Sequence, residues 1–359
     1  MRDAASITAQ DLIEAGYSVV ASDVFIKAES KPKMKLHSQI QDLPGDWPVL
    51  QAEDIERIIH AVMSERQRRI YDSTNEMDLA FVLPGKCRVR TNVYRQRGSM
   101  AAAMRIIPTR IRTLEELGLP SVLAEQTRHR QGLILLTGPT GCGKTTTLAA
   151  LLDIINQERR CHIVTIEDPL EIEHFDKNSY VSQREVGMDT EDFMPALRAV
   201  VREAPDVILI GEMRDVTTMH TALQAGETGH LVFSTVHTQS AYDTLDRIIN
   251  MFPPHEKKHL CLRLAGSLKA IIAQKLVPRA DGNGRVVVAE ILICTPTVSK
   301  AIEDGAFGDL YHLMNEGGFW GMQTMNQGLA RYVKAGVITE ETAISYAGIV
   351  SELKQMLRR

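Results

Sequence analysis

The segment Gly138-Pro139-Thr140-Gly141-Cys142-Gly143-Lys144-Thr145, followed by Thr146, is the strongest indication of the fold. It matches the pattern G-x-x-x-x-G-K-[ST] of a phosphate-binding loop. Glycines let the backbone curl so that several N–H groups face one anion, and the positive end of a following helix adds to the attraction. The pattern predicts that this loop binds ATP, that Lys144 contacts the β- and γ-phosphates, and that the Thr145 hydroxyl ligates Mg²⁺.

The sequence around the loop alternates between apolar runs and stretches compatible with helices. The predicted strands are Leu133–Thr137, His162–Ile166, Val207–Ile210 and Leu231–Thr235. Continuous apolar strands that alternate with helices are typical of a parallel sheet covered on both faces. The sequence therefore predicts an α/β domain with its phosphate site at the carboxyl ends of the strands.

The part of the chain before the loop reads as a smaller mixed domain. Its predicted strands and helix are Val19–Lys27, Met34–Ile40, Ala52–Met63 (the helix), Leu79–Leu83, Cys87–Tyr94 and Ala101–Ile107. Pro108 and Gly118-Leu119-Pro120 punctuate a connection. We therefore predict an N-terminal domain over 1–108, a linker over 109–120 and an ATPase domain over 121–359.

The last hundred residues are predicted to be mainly helical. The expected helices are His255–Lys275, Val298–Asp304 and Thr339–Ala347. A hairpin from Leu276–Arg279 to Arg285–Ile293 interrupts them, because Asp281-Gly282-Asn283-Gly284 is a strong turn signal.

Composition excludes several classes of protein. The formal charge is −4, with 41 basic and 45 acidic residues, which gives no electrostatic argument for nucleic acid as the main partner, since such binding usually needs a concentrated basic face. No apolar run approaches the ~20 residues of a membrane-spanning helix, so we expect a cytoplasmic protein that reaches a membrane only through partners. The five cysteines form no C-x-x-C pair, which argues against a disulfide framework or a structural zinc site.

Three segments after predicted strands carry the side chains that hydrolysis needs. Glu212 follows Val207–Ile210, where an acidic residue that helps to hold Mg²⁺ is expected. The segment 167–171 holds three carboxylates, one of which could activate water. His237 ends the strand Leu231–Thr235 and could sense the γ-phosphate.

Arginines cluster in two places. Arg90 and Arg105 belong to a group on the last strands of the N-terminal domain, and Arg198 and Arg202 lie one helical turn apart before the Glu212 strand. In an oligomeric ATPase such residues are candidates for arginine fingers supplied by a neighbouring subunit.

These segments together resemble the PilT-like branch of the secretion ATPases, the type IV pilus retraction motors, over about Gly16 to Ala347. The matching motifs are GPTGCGKTTTLAALLD (138–153), TIEDPLEIEH (165–174), SQREVGMDT (182–190), LIGEMRD (209–215), ETGHLVFSTVHT (227–238) and GMQTMNQGL (321–329). The sequence departs from the family where Ala204 and Asn326 each replace Asp, and where Val298–Ile302 replaces an A-I-R motif.

The resemblance implies roles for individual residues and an architecture. Glu171 is implied to be the catalytic glutamate, Glu212 the Walker B acid and His237 the His-box sensor. Arg90 and Arg105 are implied to reach bound nucleotide, and Arg198 and Arg202 match a pair in the ATPase domain. The implied fold is a RecA-like ATPase domain with a smaller PAS-like α+β N-terminal domain, assembled as a homo-hexamer.

The function that the resemblance implies is ATP hydrolysis that drives pilus retraction, and with it twitching motility. The implied partner is an inner-membrane platform protein, which would place the motor at the inner face of the cell membrane, with a paralogous ATPase as a further partner. Two alternatives stay open: a PilU-like accessory paralogue, and a conjugation or secretion ATPase. Assembly-type pilus motors are disfavoured, because they usually carry two C-x-x-C pairs.

Overall fold

The computed structural model describes residues 3–36, 39–108 and 110–358 of the 359-residue chain. By contacts between Cα positions the chain divides into two compact units. The N-terminal unit comprises Met1–Arg110 and Glu171–Glu173, and the C-terminal unit comprises Ile111–Leu170 and His174–Arg359.

The N-terminal unit is built on an antiparallel sheet of six strands in the order β3-β2-β1-β6-β5-β4. The strands are β1 (Asp23–Lys27), β2 (Lys33–Leu36), β3 (Gln39–Asp42), β4 (Glu76–Leu83), β5 (Cys87–Gln96) and β6 (Ser99–Pro108). Its helices are α1 (Ala9–Ser18), α2 (Ala52–His60) and α3 (Glu65–Thr74). On β5 the buried Val89, Thr91 and Val93 alternate with exposed Arg90 and Asn92, so one face packs against the core and the other carries polar side chains.

Two strand predictions in this unit need correction. The strand predicted from Val19 begins at Asp23, because Val19 and Val20 form the turn that ends α1 and Val20 has φ +60°. The strand predicted over Met34–Ile40 is two strands, β2 and β3, that pair with each other; the positions between them lie outside the described residues. The sequence reasoning also missed α1 and α3.

The C-terminal unit contains a seven-stranded sheet in the order β13-β12-β7-β11-β10-β8-β9. The strands are β7 (Gly132–Thr137), β8 (His162–Glu167), β9 (Tyr180–Glu185), β10 (Val207–Ile210), β11 (Leu231–Val236), β12 (Leu268–Pro278) and β13 (Arg285–Ile293). All neighbours are parallel except the hairpin of β12 and β13. The predicted parallel sheet and the predicted hairpin are therefore confirmed, but the sequence did not predict that the hairpin joins the sheet through β7.

Helices cover both faces of this sheet. They are α4 (Val122–Gln126), α5 (Lys144–Glu158), α6 (Phe193–Val200), α7 (Val216–Glu227), α8 (Ala241–Asn250), α9 (Pro254–Ser267), α10 (Pro296–Glu303), α11 (Leu310–Glu316), α12 (Met325–Lys334), α13 (Glu340–Tyr346) and α14 (Val350–Arg358). Leu133 and Leu135 on β7 join one apolar cluster, while Ile134 and Leu136 join another. Because successive side chains of a strand point to opposite faces, the sheet has a core on each side.

The helix predicted over His255–Lys275 is wrong in its second half. The helix ends at Ser267, and residues from Leu268 onward form β12, which lies between β7 and β13. A short apolar run cannot be assigned to helix or strand by periodicity alone. Here Ile271 and Ile272 are both buried, one in each apolar cluster, which requires a strand with both faces covered. The edge strand β9 was not predicted either.

Candidate functional site

The phosphate-binding loop occupies the turn between β7 and α5, as its sequence predicts. Gly138 has φ +144°, and a Cβ built there would lie 2.4 Å from the carbonyl oxygen of Gln274. Gly143 has φ +96° and caps the N-terminus of α5. A side chain at either position would strain the backbone, so these two glycines are required for the loop to keep this shape.

Lys144 opens α5 with its side chain folded over the loop. Its Nζ donates hydrogen bonds to the carbonyl oxygens of Gly138, at 2.7 Å, and Pro139, at 3.2 Å. The residue is only 8% exposed. Hydrogen bonds from an ammonium to phosphate oxygens are stronger than those to neutral carbonyls, so a phosphate bound on the loop would compete for these contacts. Thr145 and Thr146, in the same first turn of α5, are half-buried.

Cys142 within the loop is 3% exposed, and burial raises the pKa of its thiol, an effect that Lys144 only partly offsets. Because the thiolate is the reactive form of cysteine, burial makes this thiol less reactive.

The strand register brings two further strand ends beside the loop. Thr137 at the end of β7 pairs with Val236 on β11, so Gly138 and His237 follow neighbouring positions of the sheet. β11 also pairs with β10, after which Glu212 follows. The Nε2 atom of His237 lies 3.2 Å from Oε1 of Glu212. Sequence reasoning therefore identified a histidine and a carboxylate that the fold places in contact.

Glu212 is held as a charged group by its neighbours. Its Oε2 accepts a hydrogen bond of 2.8 Å from Nε of Arg214. Burial alone would raise the pKa of Glu212, but the hydrogen bonds and charges of Arg214 and His237 outweigh it and lower the pKa below its ordinary value. The carboxylate is therefore ionised at neutral pH, as a cation ligand must be.

A chain of hydroxyl groups ties the loop to the segment that follows His237. The Oγ1 atom of Thr137 donates to the carbonyl oxygen of Thr238 at 2.7 Å and accepts from its backbone N–H at 3.0 Å. The hydroxyl of Thr238 lies 2.7 Å from that of Thr244 on α8. The position of His237 is thus fixed relative to the residue that precedes the loop.

The carboxylates of the segment 167–171 have unequal surroundings. Glu167 ends β8, is 7% exposed, and accepts a hydrogen bond of 3.3 Å from Nε2 of Gln183. Asp168 and Glu171 are exposed. By its contacts Glu171 belongs to the N-terminal unit, while the phosphate loop belongs to the C-terminal unit. The catalytic role of Glu171 stays a prediction.

Arg90 and Arg105 lie directly opposite each other on β5 and β6 of the N-terminal unit. Arg90 is exposed, and Arg105 forms an ion pair of 3.1 Å with Asp23. Like charges that face each other across two strands destabilise a sheet by ~0.2–1 kcal/mol. Their shared face is therefore a candidate site for an anion.

The pair Arg198 and Arg202 does not share a helix face. Arg198 lies on α6, but that helix ends at Val200, and Arg202 lies in the turn beyond it. The prediction failed because the helix ends before the second arginine, and Ala204 further on has the non-helical φ +54°. Both arginines are exposed, and their role as arginine fingers stays a prediction.

A cavity of about 380 Å³ opens at the N-terminus of α5 within the C-terminal unit. Its walls combine loop and helix residues with the hairpin and the segment before α4; they include Gly143, Thr146, Arg112, Arg279, Val286 and Tyr332. Its size falls within the ~300–1,000 Å³ of ligand pockets. It adjoins the phosphate loop through Gly143 and Thr146, so it is a candidate pocket for a nucleoside.

The donors available for a cation are oxygen atoms. Among the described residues there is no cluster of three or more His, Cys, Asp or Glu side chains that could hold a metal by itself. Mg²⁺ usually keeps several waters and binds through one or two protein oxygens plus substrate phosphates. The Thr145 hydroxyl and the ionised Glu212 carboxylate fit such a site.

Sequence reasoning missed several residues that shape the site. Arg214 lies within the quoted LIGEMRD motif, and Thr238 within ETGHLVFSTVHT, so their positions were visible although their contacts were not. Gln274 packs against Gly138 and donates to the hydroxyl of Thr147 at 2.9 Å. Its contact with the loop could not be predicted, because the segment that contains it was predicted to be helical.

The likeness to known proteins extends over nearly the whole chain. A family model described as type II/IV secretion system protein matches residues 7–341. The type IV pilus retractation ATPase PilT of Pseudomonas aeruginosa is 41% identical over 329 residues, which is 92% of this chain and 95% of that protein. The type IV pilus ATPase PilU of the same organism is 39% identical over 94% of this chain and 88% of that protein.

The solved structures that resemble the chain agree with the sequence matches. A crystal structure of the pilus retraction motor PilT with bound ADP superposes with a TM-score of 0.90 at 40% identity, covering 98% of this chain and 100% of that one. The ATPase DotB of Legionella pneumophila shares the fold, with a TM-score of 0.77 at 24% identity.

Proposed function

The chain belongs to the type II/IV secretion system protein family and is a P-loop ATPase, and from this premise we propose that it is a motor that retracts type IV pili. The predicted fold class, a RecA-like ATPase domain with a smaller PAS-like N-terminal domain, is confirmed by the match to PilT. The observation that carries the proposal is the extent of that match: 41% identity over 95% of PilT covers both units of the chain.

ATP is proposed to bind with its phosphates on the loop 138–146 and its nucleoside in the adjoining cavity. The loop N–H groups and the N-terminus of α5 would face the phosphates. The Lys144 ammonium, 2.7 Å from the Gly138 carbonyl oxygen, would move to the β- and γ-phosphates. Arg112, Arg279 and Tyr332 line the cavity, and their planar side-chain groups are of the kind that stacks on a base.

Mg²⁺ would be held by the hydroxyl of Thr145 and the carboxylate of Glu212, together with phosphate oxygens and water. When bound, the ion neutralises charge on the phosphates as the bond to the γ-phosphate breaks. Arg214 and His237 keep the Glu212 carboxylate ionised and fix its direction.

Glu171 is proposed as the base that orients the attacking water, and His237 as the group that senses the γ-phosphate. Glu171 is exposed, so its carboxylate is free to approach a nucleotide-bound water. His237 follows the strand next to the phosphate loop and touches Glu212. Loss of the γ-phosphate would therefore change the contacts of His237, which links the proposed metal site to α8.

The arginines are proposed to complete the site between subunits of a homo-hexamer. Arg90 and Arg105 share one face of the N-terminal sheet, which would meet the nucleotide of a neighbouring subunit. Arg198 and Arg202 would supply further charge from the ATPase domain.

Mixing a Lys144→Ala chain with an Arg90→Ala chain should restore part of the lost activity, since some interfaces then contain both intact residues. Mixtures that exchange subunits and stay inactive would contradict this arrangement.

The proposed partners are the inner-membrane platform protein of the pilus and a paralogous ATPase, with no nucleic acid. Among the described residues no helix is long and apolar enough to span a bilayer. We propose a cytoplasmic motor that reaches the inner face of the membrane through these partners.

An accessory role remains the second candidate, since PilU is 39% identical over 94% of the chain, close to the figure for PilT. A role in conjugation or secretion is the third. Deleting the gene separates them. Loss of twitching with excess pili supports retraction by this chain. Normal retraction that fails only when a paralogue is also weakened supports the accessory role. Normal pili and twitching in both backgrounds contradict both pilus roles.

A further inference from the structure

One buried carboxyl group that is not among the proposed catalytic groups lies beside the N-termini of two helices. Glu290 on β13 is 5% exposed. Its Oε1 accepts a hydrogen bond of 2.8 Å from the backbone N–H of Ala241, the first residue of α8. The backbone N–H of Met325, the first residue of α12, also lies close enough to this carboxyl group to lower its pKa. One side chain therefore faces the leading N–H of two helices, groups that have no partner inside their own helices.

The first of these helices is a direct continuation of the segment that senses nucleotide. Ala241 follows His237 by four residues. Thr238 between them is bonded to Thr137, the residue before the phosphate loop, and to Thr244 on α8. A displacement of His237 would therefore reach the N-terminus of α8, because these hydrogen bonds tie Thr238 to both Thr137 and Thr244.

The second helix begins in the motif GMQTMNQGL, which the catalytic proposal leaves without a role. Gln323 forms an isolated antiparallel bridge with Ile291 on β13, next to Glu290. Thr324 and Gln327 form a capping box at the start of α12. The Asn326 amide donates to the carbonyl oxygen of Ile349 at 2.9 Å. The motif thus fixes α12 to the sheet on one side and to the segment before α14 on the other.

Neutral replacements for Glu290 would not reproduce this contact. A carboxylate offers two acceptor oxygens, whereas a glutamine side chain offers one and turns an N–H₂ group toward the other donor. Two helix N-termini also favour a negative charge between them. Burial raises the pKa of Glu290, and the N–H groups of Ala241 and Met325 offset part of this effect.

We propose that Glu290 is a positioning residue that couples the His237 segment to the start of α12, so that the nucleotide state at the phosphate loop sets the position of the C-terminal helices. The inference rests on the proposed function, because it takes ATP as the ligand that His237 senses. In this proposal the motif GMQTMNQGL changes position in response to a movement that begins at the γ-phosphate.

The test uses the tryptophan that adjoins the motif. Trp320 precedes Met325 by five residues and is 55% exposed, and the only other tryptophan, Trp47, lies in the N-terminal unit. In a full-length Trp47→Phe chain we expect the emission of Trp320 to differ between the ATP- and ADP-bound states. Adding Glu290→Gln should abolish that difference and lower kcat by about tenfold, while the affinity for ATP changes less than ~threefold. The matched control is Glu303→Gln, an exposed glutamate of α10, which should keep the response.

The outcomes separate this proposal from the proposed function. A Trp47→Phe chain that hydrolyses ATP without any change at Trp320 overturns the coupling and leaves the ATPase intact. A Glu290→Gln chain that keeps the full response shows that Glu290 is not the link. A parent chain that neither binds nor hydrolyses ATP contradicts the proposed function itself.

A second measurement covers the case in which Glu290→Gln does not fold. In the unaltered protein, peptides that contain Ala241 and Met325 are followed by hydrogen exchange with ATP and with ADP. Because both amides face the same carboxyl group, their protection should change together between the two states. Protection that changes at Ala241 alone overturns the proposal.

Discussion

Glu212 and Glu171, the two carboxylates that we assign to one reaction, differ in how the fold holds them. Glu212 stands at a strand end of the C-terminal unit, 3.2 Å from His237 and 2.8 Å from Arg214. Glu171 is exposed and belongs by its contacts to the N-terminal unit. Two residues further on, Glu173 pairs with Arg88 of β5 at 3.5 Å. The sheet that carries the loop thus positions Glu212, the proposed metal ligand. Glu171, the proposed base, groups instead with the N-terminal unit.

The difference suggests how binding and hydrolysis are separated. The segment at Glu212 is fixed because the hydroxyls of Ser234 and Thr235 donate to the carbonyl oxygens of Ile210 and Gly211, each at 2.7 Å. The phosphate loop, Thr145 and Glu212, which we propose to bind the phosphates and the metal, all belong to the C-terminal unit. Because Glu171 groups with the N-terminal unit, we expect changes at Glu171 to alter hydrolysis and to leave nucleotide binding unchanged.

Replacing Lys144 should give the largest effect. Lys144 is proposed to hold the phosphates, and both carboxylates can act only on a nucleotide that is bound. Lys144→Ala removes a charge from a buried site, where charged hydrogen bonds contribute ~1.5–3 kcal/mol each. We expect ATP affinity to fall by at least about 100-fold and turnover to disappear. Titration with a fluorescent ATP analogue measures this, with the melting temperature as the control for folding. Tight binding by a folded variant would remove Lys144 from the phosphate site.

Replacing Glu212 should separate the metal from the nucleotide. Glu212→Gln keeps the shape of the side chain but removes the negative charge that favours Mg²⁺. We expect turnover to fall by about 100-fold and the dependence on Mg²⁺ to shift to higher concentration, while metal-free binding of ADP stays unchanged. Turnover measured across a series of Mg²⁺ concentrations tests this. A parallel fall at every concentration would mean that Glu212 does not hold the ion.

Breaking the ion pair of Arg88 and Glu173 should act on Glu171 alone. Both partners are mostly buried, with side-chain exposures of 14% and 25%, so the pair can restrain the segment 171–173. Arg88→Ala should lower kcat by about three- to tenfold through misplacement of the base and leave ATP affinity unchanged. Exchanging the charges, with Arg88→Glu and Glu173→Arg together, should restore part of the rate. Weaker ATP binding in Arg88→Ala would contradict the separation of binding from hydrolysis.

Removing Arg214 should give the smallest effect, because its side chain is 62% exposed. Surface ion pairs contribute about 0–1 kcal/mol. With a folded-state pKa below the ordinary 4.5, Glu212 adds stability that is complete above that pH and is lost as the pH falls through the lowered pKa. Arg214→Ala should lose part of this contribution at pH 7, and the two chains should converge in strong acid. Denaturant titrations at several pH values measure it. A stability difference that persists unchanged in acid would show that Arg214 acts by another route.

The sequence predicted those parts of the site that depend on local patterns and strand order. The loop, Glu212 and His237 each follow an apolar strand, and parallel strands bring such positions to one edge of the sheet. Contacts between distant segments were not predictable in this way. Nothing in the sequence pairs Arg88 with Glu173 or Glu290 with Ala241, because these contacts exist only after β5 and β13 have taken their places.

The departures from the family pattern also needed the structure. Asn326 is 1% exposed, and its Nδ2 donates a hydrogen bond of 2.7 Å to the carboxylate of Glu352. Aspartate there would place two carboxylates together, so asparagine suits this chain. Ala204 adopts φ +54°, a conformation in which Asn and Asp are more common than other non-glycine residues. Among the residues that the structure describes, no contact offsets the cost of this conformation for alanine.

The most direct test of the account compares Glu171→Gln with Glu212→Gln in single-turnover hydrolysis of pre-bound ATP, with binding measured on the same samples. We predict that Glu171→Gln binds ATP with Mg²⁺ as tightly as the unaltered chain and cleaves it at least about 100-fold more slowly. Glu212→Gln should instead lose the tightening of ATP binding by Mg²⁺. Cleavage at a near-normal rate by Glu171→Gln, or loss of the Mg²⁺ effect in that variant rather than in Glu212→Gln, would contradict the account.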